Sequence, residues 1–314
     1  MRKPPPQSSG LPTEFDVSNS VGKESFHHHI PVLLDDVIRL LAPKKGESYL
    51  DLTAGYGGHA REILARTETP DQATLVDRDP MAIEALQPLE TEGAQLLHTD
   101  FAHAAAELAA AGKGYDMVLV DLGVSSPQLD IPGRGFSFQP GPLDMRMDQV
   151  QRLSADTIVN HYSERELIDI LVVYGEERYS QARAIARAIR NARPISSTGQ
   201  LAEVVLSTHR GKWQRVHPAT RTFQAIRIAV NDELGQVEQM LSHIIPLLRP
   251  GGRIAIISFH SLEDRLVKNY FNEQARAGYE AELRLLTKKG IRGSDSDDHN
   301  PRARSATLRA AVKI

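Results

Sequence analysis

Ser48-Tyr49-Leu50-Asp51-Leu52-Thr53-Ala54-Gly55-Tyr56-Gly57-Gly58-His59, followed by Ala60-Arg61-Glu62-Ile63-Leu64, reads as a strand, a glycine loop and a helix. Glycine at 55, 57 and 58 lets the backbone take positive φ and approach a ligand, and the free N–H groups of the next helix can receive an anion. A nucleotide-like cofactor is expected here. The loop alone leaves its identity open, because Gly55-x-Gly57-x-x-Ala60 also satisfies the dinucleotide fingerprint and Asp77 lies where that fingerprint places its ribose-binding acid.

Outward from this loop the chain alternates short apolar runs with helical stretches. Strands are expected at Ser48–Leu52, Ala73–Val76, Ala94–Leu97 and Tyr115–Val120, with helices after Pro31, Gly58, Pro80 and Phe101. Such βα repeats imply a parallel sheet covered on both faces. The rhythm stops after Ser126. A Pro-, Gly- and Asp-rich loop (127–149) leads to helices capped at Ser154, at Ser163 with Glu166 as a capping box, and at Thr198. It resumes with one long helix over Ala219–Leu248, a strand over Arg253–Ser258, a helix opened by Ser261 with Asp264, and a closing pair at Leu283–Leu286 and Leu308–Lys313. Residues 288–304 read as a mobile surface loop. The α/β unit therefore comprises 26–128 and 217–314, with an all-helical unit inserted over 129–216 and a disordered tail over 1–25.

The 314 residues suit two domains, and 41% hydrophobic content supports a packed core. The sequence lacks cysteine, which excludes disulfides and thiolate chemistry and makes a reducing cytoplasm the default compartment. Apolar runs such as Met117–Val120 and Ile254–Ile257 are too short to span a membrane, and residues 1–25 contain no segment of signal-peptide type. Between Arg178 and Arg227 stand ten Arg or Lys against one acid, Glu203, in a chain of formal net charge −3. A polyanionic partner fits this stretch; so does the solvated face of a helix carrying Arg183, Arg187 and Arg190.

In a doubly wound sheet, ligands lie beyond the carboxyl ends of the strands. Those ends carry Asp51, then Asp77-Arg78-Asp79, then Asp100-Phe101, then Asp121 to Gln128. Acids facing one crevice repel a pyrophosphate and welcome a cation. S-adenosylmethionine carries a sulfonium and an ammonium, which Asp51 and Asp121 would stabilise in a partly dry cleft. Its carboxylate would lie near Gly57, Gly58 and His59, its ribose on Asp77 and its adenine against Phe101. Each acid taken singly also fits a helix cap or turn. Asp51 ahead of the glycines, and the lack of any hydride-transfer motif, weigh against a dinucleotide.

Ser125-Ser126-Pro127-Gln128 suggests amine methylation, because a base amine must have its N–H hydrogens accepted while it meets the methyl group in line. Asp121, the Ser125 and Ser126 hydroxyls, or a carbonyl held by Pro127 would serve; a plain Ser-Pro turn fits the same residues. His27-His28-His29 lacks a matching ligand spacing, so no metal is expected. His260 follows the fifth strand and is either a substrate contact or a cap. Trp213, in Lys212-Trp213-Gln214-Arg215, suits either stacking on a base or anchoring the helical insert.

Longer strings carry a more specific signal. Asp51–His59, Asp77–Pro80, Asp121–Gln128, Arg134–Phe138, Gly141–Asp148 (GPLDMRMD), Tyr174–Arg178, His217–Arg227 (HPATRTFQAIR), Ser258–Arg265 (SFHSLEDR) and Asn300–Arg304 closely resemble the ribosomal RNA small subunit methyltransferase H family, from about His29 to the last strand. The resemblance implies a Rossmann-like class I methyltransferase domain with an inserted helical substrate domain, and S-adenosylmethionine-dependent N4-methylation of a decoding-site cytosine in 16S rRNA, within the small ribosomal subunit. Carried over by position, the cofactor contacts are Gly57, Gly58, His59, Asp77, Phe101, Asp121 and Gln128. The usual amino-methyltransferase tetrapeptide, Asp or Asn followed by Pro-Pro and an aromatic residue, is only approximated by Ser125–Gln128. A methyltransferase acting on DNA or on protein amines, and a non-catalytic RNA-binding assembly factor, are the competing functions.

Overall fold

The computed structural model describes residues 31–211 and 217–314. The expectations for the tail, for His27–His29 and for Trp213 lie outside the described residues.

Eight strands form one sheet: β1 (Tyr49–Asp51), β2 (Ala73–Asp77), β3 (Gln95–His98), β4 (Tyr115–Asp121), β5 (Leu248–Ser258), β6 (Leu283–Leu285), β7 (Ile291–Arg292) and β8 (Thr307–Lys313). Their spatial order is β3-β2-β1-β4-β5-β8-β6, with β7 pairing β8. The first five run parallel, and β8 returns antiparallel between β5 and β6. The order reverses between β1 and β4, so the crevice beyond their carboxyl ends is the topological switch point where ligands bind.

Side-chain alternation dictates the layers. Along β4, Val118 and Val120 enter one core while Met117 and Leu119 enter the other, and Ile254, Ile256 and Ala255, Ile257 divide in the same way along β5. On the first face lie α4 (Phe101–Ala110), α11 (Glu233–Leu247) and α12 (Ser261–Arg276). On the second lie α1 (Leu34–Leu41), α2 (Gly58–Thr67) and α3 (Pro80–Thr91).

Between β4 and β5 the described residues contain helices and no strand. The short α5 (Ser126–Asp130) precedes α6 (Ala155–His161), α7 (Glu164–Val173), α8 (Tyr179–Ala192), α9 (Thr198–Ser207) and α10 (Thr220–Asn231), which share a third core containing Ile158, Leu171, Ile185, Ile189 and Phe223. Ser154 caps α6, and Ser163 with Glu166 forms the expected capping box. Ser197, rather than Thr198, caps α9, and His260, rather than Ser261, caps α12 in a box with Glu263.

The single helix expected over 219–248 is two helices. It breaks at Asp232, which takes φ 48°. Phe223, Ile226 and Val230 of α10 belong to the helical core, whereas Val237, Met240, Leu241 and Ile244 of α11 cover the sheet. One straight helix cannot bury both stripes. Residues 288–304, expected to be mobile, form a strap containing β7, α13 (Gly293–Ser296) and a 3-10 turn at Pro301–Ser305. Asp297 accepts from the Leu33 N–H at 2.8 Å, and Arg302 makes two bonds to Asp130 at 2.7 and 2.8 Å. Gly293 is needed there, because a Cβ would lie 1.9 Å from the Ala303 carbonyl oxygen.

One buried network ties the helical layer to the sheet. Arg134 donates to Asp79 at 2.8 Å, with side-chain exposures of 5% and 2%. Asp79 also caps α3 through the Met81 N–H and accepts from Gln128 Nε2 at 2.9 Å. Arg134 continues to the Met147 carbonyl at 2.9 Å. Arg134→Ala would leave a carboxylate buried without its cation, so we expect a loss of about 3–5 kcal/mol of unfolding free energy in urea titration. A loss below about 1 kcal/mol, the scale of an exposed pair, would contradict that role.

Candidate functional site

The strand ends of the sheet open into a cleft of about 1370 Å³, walled on the far side by residues of the 136–147 loop, by α10 and by the strap. This exceeds the roughly 300–1,000 Å³ usual for a single small ligand. Gly58, His59, Asp77, Phe101, Asp121, Ser125 and Gln128 line it, so most of the residues expected from sequence converge.

Gly57 is not among the lining residues. It sits at φ 80°, its N–H donates to the Ala54 carbonyl at 2.9 Å, and a Cβ there would come within 3.1 Å of Leu86. Its requirement is to turn the chain into α2. Gly58 is the position of close approach, since a Cβ would stand 2.7 Å from Pro31, itself on the cleft wall.

Asp77 is held by its two oxygens, one accepting from the Gly55 N–H and the other from the Asp79 N–H, both at 2.8 Å. A carboxylate fixed in this way keeps lone pairs for a diol. Burial pushes it up to about 6, against the pull of those two N–H groups. Phe101 opens α4 beside the cleft. The polar atoms of Gln128 are already engaged, Nε2 with Asp79 and Oε1 with the Ser125 N–H at 3.0 Å. It shapes the wall and fixes Ser125. Ser126 and Pro127 are described only as the start of α5, so their candidate roles rest on position alone.

Asp121 stands at the end of β4, its backbone N–H donating to Thr53 Oγ1 at 2.6 Å. Its Oδ1 is buried without a hydrogen-bond partner, and so is the Ser125 hydroxyl. Burial, then the nearby carboxylates of Asp51 and Glu263, raise its pKa well above the usual range. Asp51 does not line the cleft. It is 1% exposed and accepts from the Tyr49 hydroxyl at 2.7 Å and the Thr53 N–H at 3.1 Å. Burial raises it to about 7, and its carboxylate in turn raises that of Asp121. His59 Nε2 lies 3.1 Å from the Val32 carbonyl, which makes Nε2 the protonated nitrogen and leaves Nδ1 facing Asp121 at 3.7 Å. Burial lowers His59 to about 4, so it is neutral at pH 7. The sequence reading missed Tyr49 and Thr53. A tyrosine two residues before Asp51 on the same strand face was the available signal.

His260 lines the cleft and caps α12. Glu233, His260 and Glu263 bring ligand-type atoms within 4.8 Å of one another. Arg227 already engages Glu233 at 2.7 and 2.8 Å, and Glu263 accepts from the Phe259 N–H at 2.8 Å. This arrangement is an ion-pair and capping network. Part of the basic stretch is also engaged internally. Arg187 and Arg190 pair with Glu164, and Arg193 donates to the Val159 and Tyr162 carbonyls.

A sheet whose parallel strands reverse their order between β1 and β4, with acids at the strand ends of that switch point, is Rossmann-like. The chain belongs to the MraW methylase family, which it matches over residues 26–314, and its cofactor is S-adenosylmethionine. It is 47% identical to ribosomal RNA small subunit methyltransferase H of Synechocystis sp., over 91% of this chain and 94% of that protein. The protein of the same name from Koribacter versatilis is 46% identical, over 93% and 96%. That from Acidobacterium capsulatum is 48% identical, over 91% and 98%.

The residues present fit this cofactor, because a cation placed against the unpartnered Asp121 oxygen offsets the cost of ionising Asp121 and Asp51 together. Binding should therefore release protons and tighten as pH rises through about 7, by up to about tenfold per unit for each carboxyl that ionises on binding. Calorimetry in buffers of different ionisation enthalpy reads both effects. Asp51→Asn should flatten the rise, whereas a wild-type affinity constant from pH 6 to 8 would contradict this electrostatic account.

Proposed function

We propose that this protein transfers the methyl group of S-adenosylmethionine to the N4 amine of a cytosine in the decoding region of 16S rRNA, within the small ribosomal subunit. The three relatives cited above are each named small-subunit ribosomal RNA methyltransferases. The observation that carries the amine chemistry is that Asp121 and Ser125, each with a buried oxygen (Oδ1 and Oγ) lacking a hydrogen-bond partner, line one cleft.

Gly58 and His59 would border the methionine end of the cofactor, Asp77 its ribose and Phe101 its adenine, while Gly57 and Gln128 hold the walls. The group supplies an electrophilic methyl when bound. The lone pair of a cytosine amine is delocalised into the ring, so the nitrogen must rehybridise to attack. Asp121 and Ser125 would accept its N–H hydrogens, and Asp121 would take the proton released as the new N–C bond forms. Ser126 and the carbonyl held by Pro127 follow Ser125 in the sequence and are the remaining candidate acceptors. The base must leave its stack to reach the cleft, with cations of the helical layer holding the flanking phosphates. A ribosomal substrate places the protein in the cytoplasm, and among the described residues no helix is long and apolar enough to cross a membrane.

Labelled methyl should pass to isolated small subunits, and not to DNA or to peptides. Transfer to either of the latter alone would select another substrate class, and salt-sensitive RNA binding without methylation would select an assembly factor. Asp77→Ala should weaken cofactor binding by at least about a hundredfold, the scale of losing two hydrogen bonds to a charged group, and leave RNA binding intact. Retained cofactor affinity would contradict the ribose role.

A further inference from the structure

Besides the strand-end acids, the cleft is lined by the rings of Phe136, Phe138, Phe223 and Phe259. Among them Phe138 keeps 36% of its surface exposed. Its ring is braced from two sides. The His217 ring lies 4.6 Å away at 31°, and the Phe223 ring lies 4.7 Å away, edge-on at 81°. Phe223 is 5% exposed and rooted in the helical core, so the support is rigid.

The backbone around Phe138 is fixed as well. Upstream, Arg134 is locked to Asp79 and Met147. Downstream, the Thr198 hydroxyl donates to the Gln139 carbonyl, and the Thr198 N–H donates to the Gly141 carbonyl at 2.9 Å. Gly141 packs so closely that a Cβ would lie 2.2 Å from the Pro132 carbonyl oxygen. A partly exposed ring on a loop hydrogen-bonded on both sides is preorganised for contact with a flat apolar partner, and the cleft volume exceeds that of one small ligand. The position is continuous with the wall bearing Ser125 and Asp121, where the reacting amine must lie.

We propose that Phe138, braced by His217 and Phe223 on the wall of the cofactor cleft, is the stacking platform that receives the extruded target pyrimidine. This rests on the reading of the protein as an RNA base methyltransferase. Stacking needs a π-face, so it separates aromatic from merely apolar replacements.

The test compares wild type with Phe138→Leu, Phe138→Ala and Phe138→Tyr. Cofactor affinity by calorimetry should stay close to wild type in all three, and the thermal midpoint close to wild type for the tyrosine variant, with a modest fall for leucine and a larger one for alanine. Methyl transfer to small subunits should fall on the order of ten- to a hundredfold in kcat/KM for the leucine and alanine variants, and tyrosine should recover most of it. A leucine variant within twofold of wild type would overturn the proposal, as would a parallel loss of cofactor affinity. A second readout needs no turnover: a fluorescent cytosine analogue at the target position of a decoding-region RNA should change its emission with wild type and with Phe138→Tyr, and not with Phe138→Leu. Should wild type methylate no subunit, the functional reading fails, while the fluorescence comparison still decides whether Phe138 stacks on the base. Equal signals from wild type and leucine variant would reject the platform.

Discussion

The carboxylate of Asp79 joins the parts of this molecule that must act together. It is 1% exposed, caps α3, accepts from Gln128 and pairs with Arg134. Through Gln128 it fixes the Ser125 backbone, and through Arg134 it fixes the loop that carries Phe138. A buried carboxylate costs several kcal/mol unless it is fully bonded, so these three elements are held where Asp79 requires them. Ser125 and the loop bearing Phe138, two parts of one cleft wall, are thereby registered against each other by a residue two positions beyond Asp77.

A second constraint is electrostatic. Asp51, Asp77 and Asp121 are all pushed upward by burial, and Asp51 and Asp121 also repel each other. A pyrophosphate would add negative charge to this field, whereas a sulfonium relieves it. The Asp51 hydrogen bonds to Tyr49 and to the Thr53 N–H keep it in place without neutralising it. The preference for a cationic methyl donor over a dinucleotide thus follows from the whole group of strand ends, and the glycine loop alone does not determine it.

Much of the α/β frame was legible in the sequence because its signals are local. The strand at Tyr115–Asp121 differs from the expected one by a single residue, and the helices begin where Gly58, Pro80 and Phe101 indicated. What escaped reading depends on contacts distant in sequence. The break at Asp232 occurs because two apolar stripes serve different cores, although the helical pattern runs on across it. The 288–304 strap has loop composition, and Asp297 and Arg302 tie it to Leu33 and Asp130 far along the chain. At the site, the acids and their strand ends were readable, but the direction of each side chain was not. Asp51 turns inward to Tyr49, Gly57 serves the turn, and Gln128 is held by Asp79. The basic stretch announced a polyanion, and the fold employs Arg187, Arg190, Arg193 and Arg227 partly in its own structure.

The central claim is that the acid-lined strand ends place a methyl donor against an amine of an RNA pyrimidine held on the aromatic wall of the cleft. Nucleoside mass spectrometry of small subunits lacking the modification, after incubation with the protein and isotopically labelled S-adenosylmethionine, addresses it directly. The account predicts label in N4-methylcytidine at one decoding-region position. Label in any other nucleoside, or in ribosomal protein alone, would contradict it.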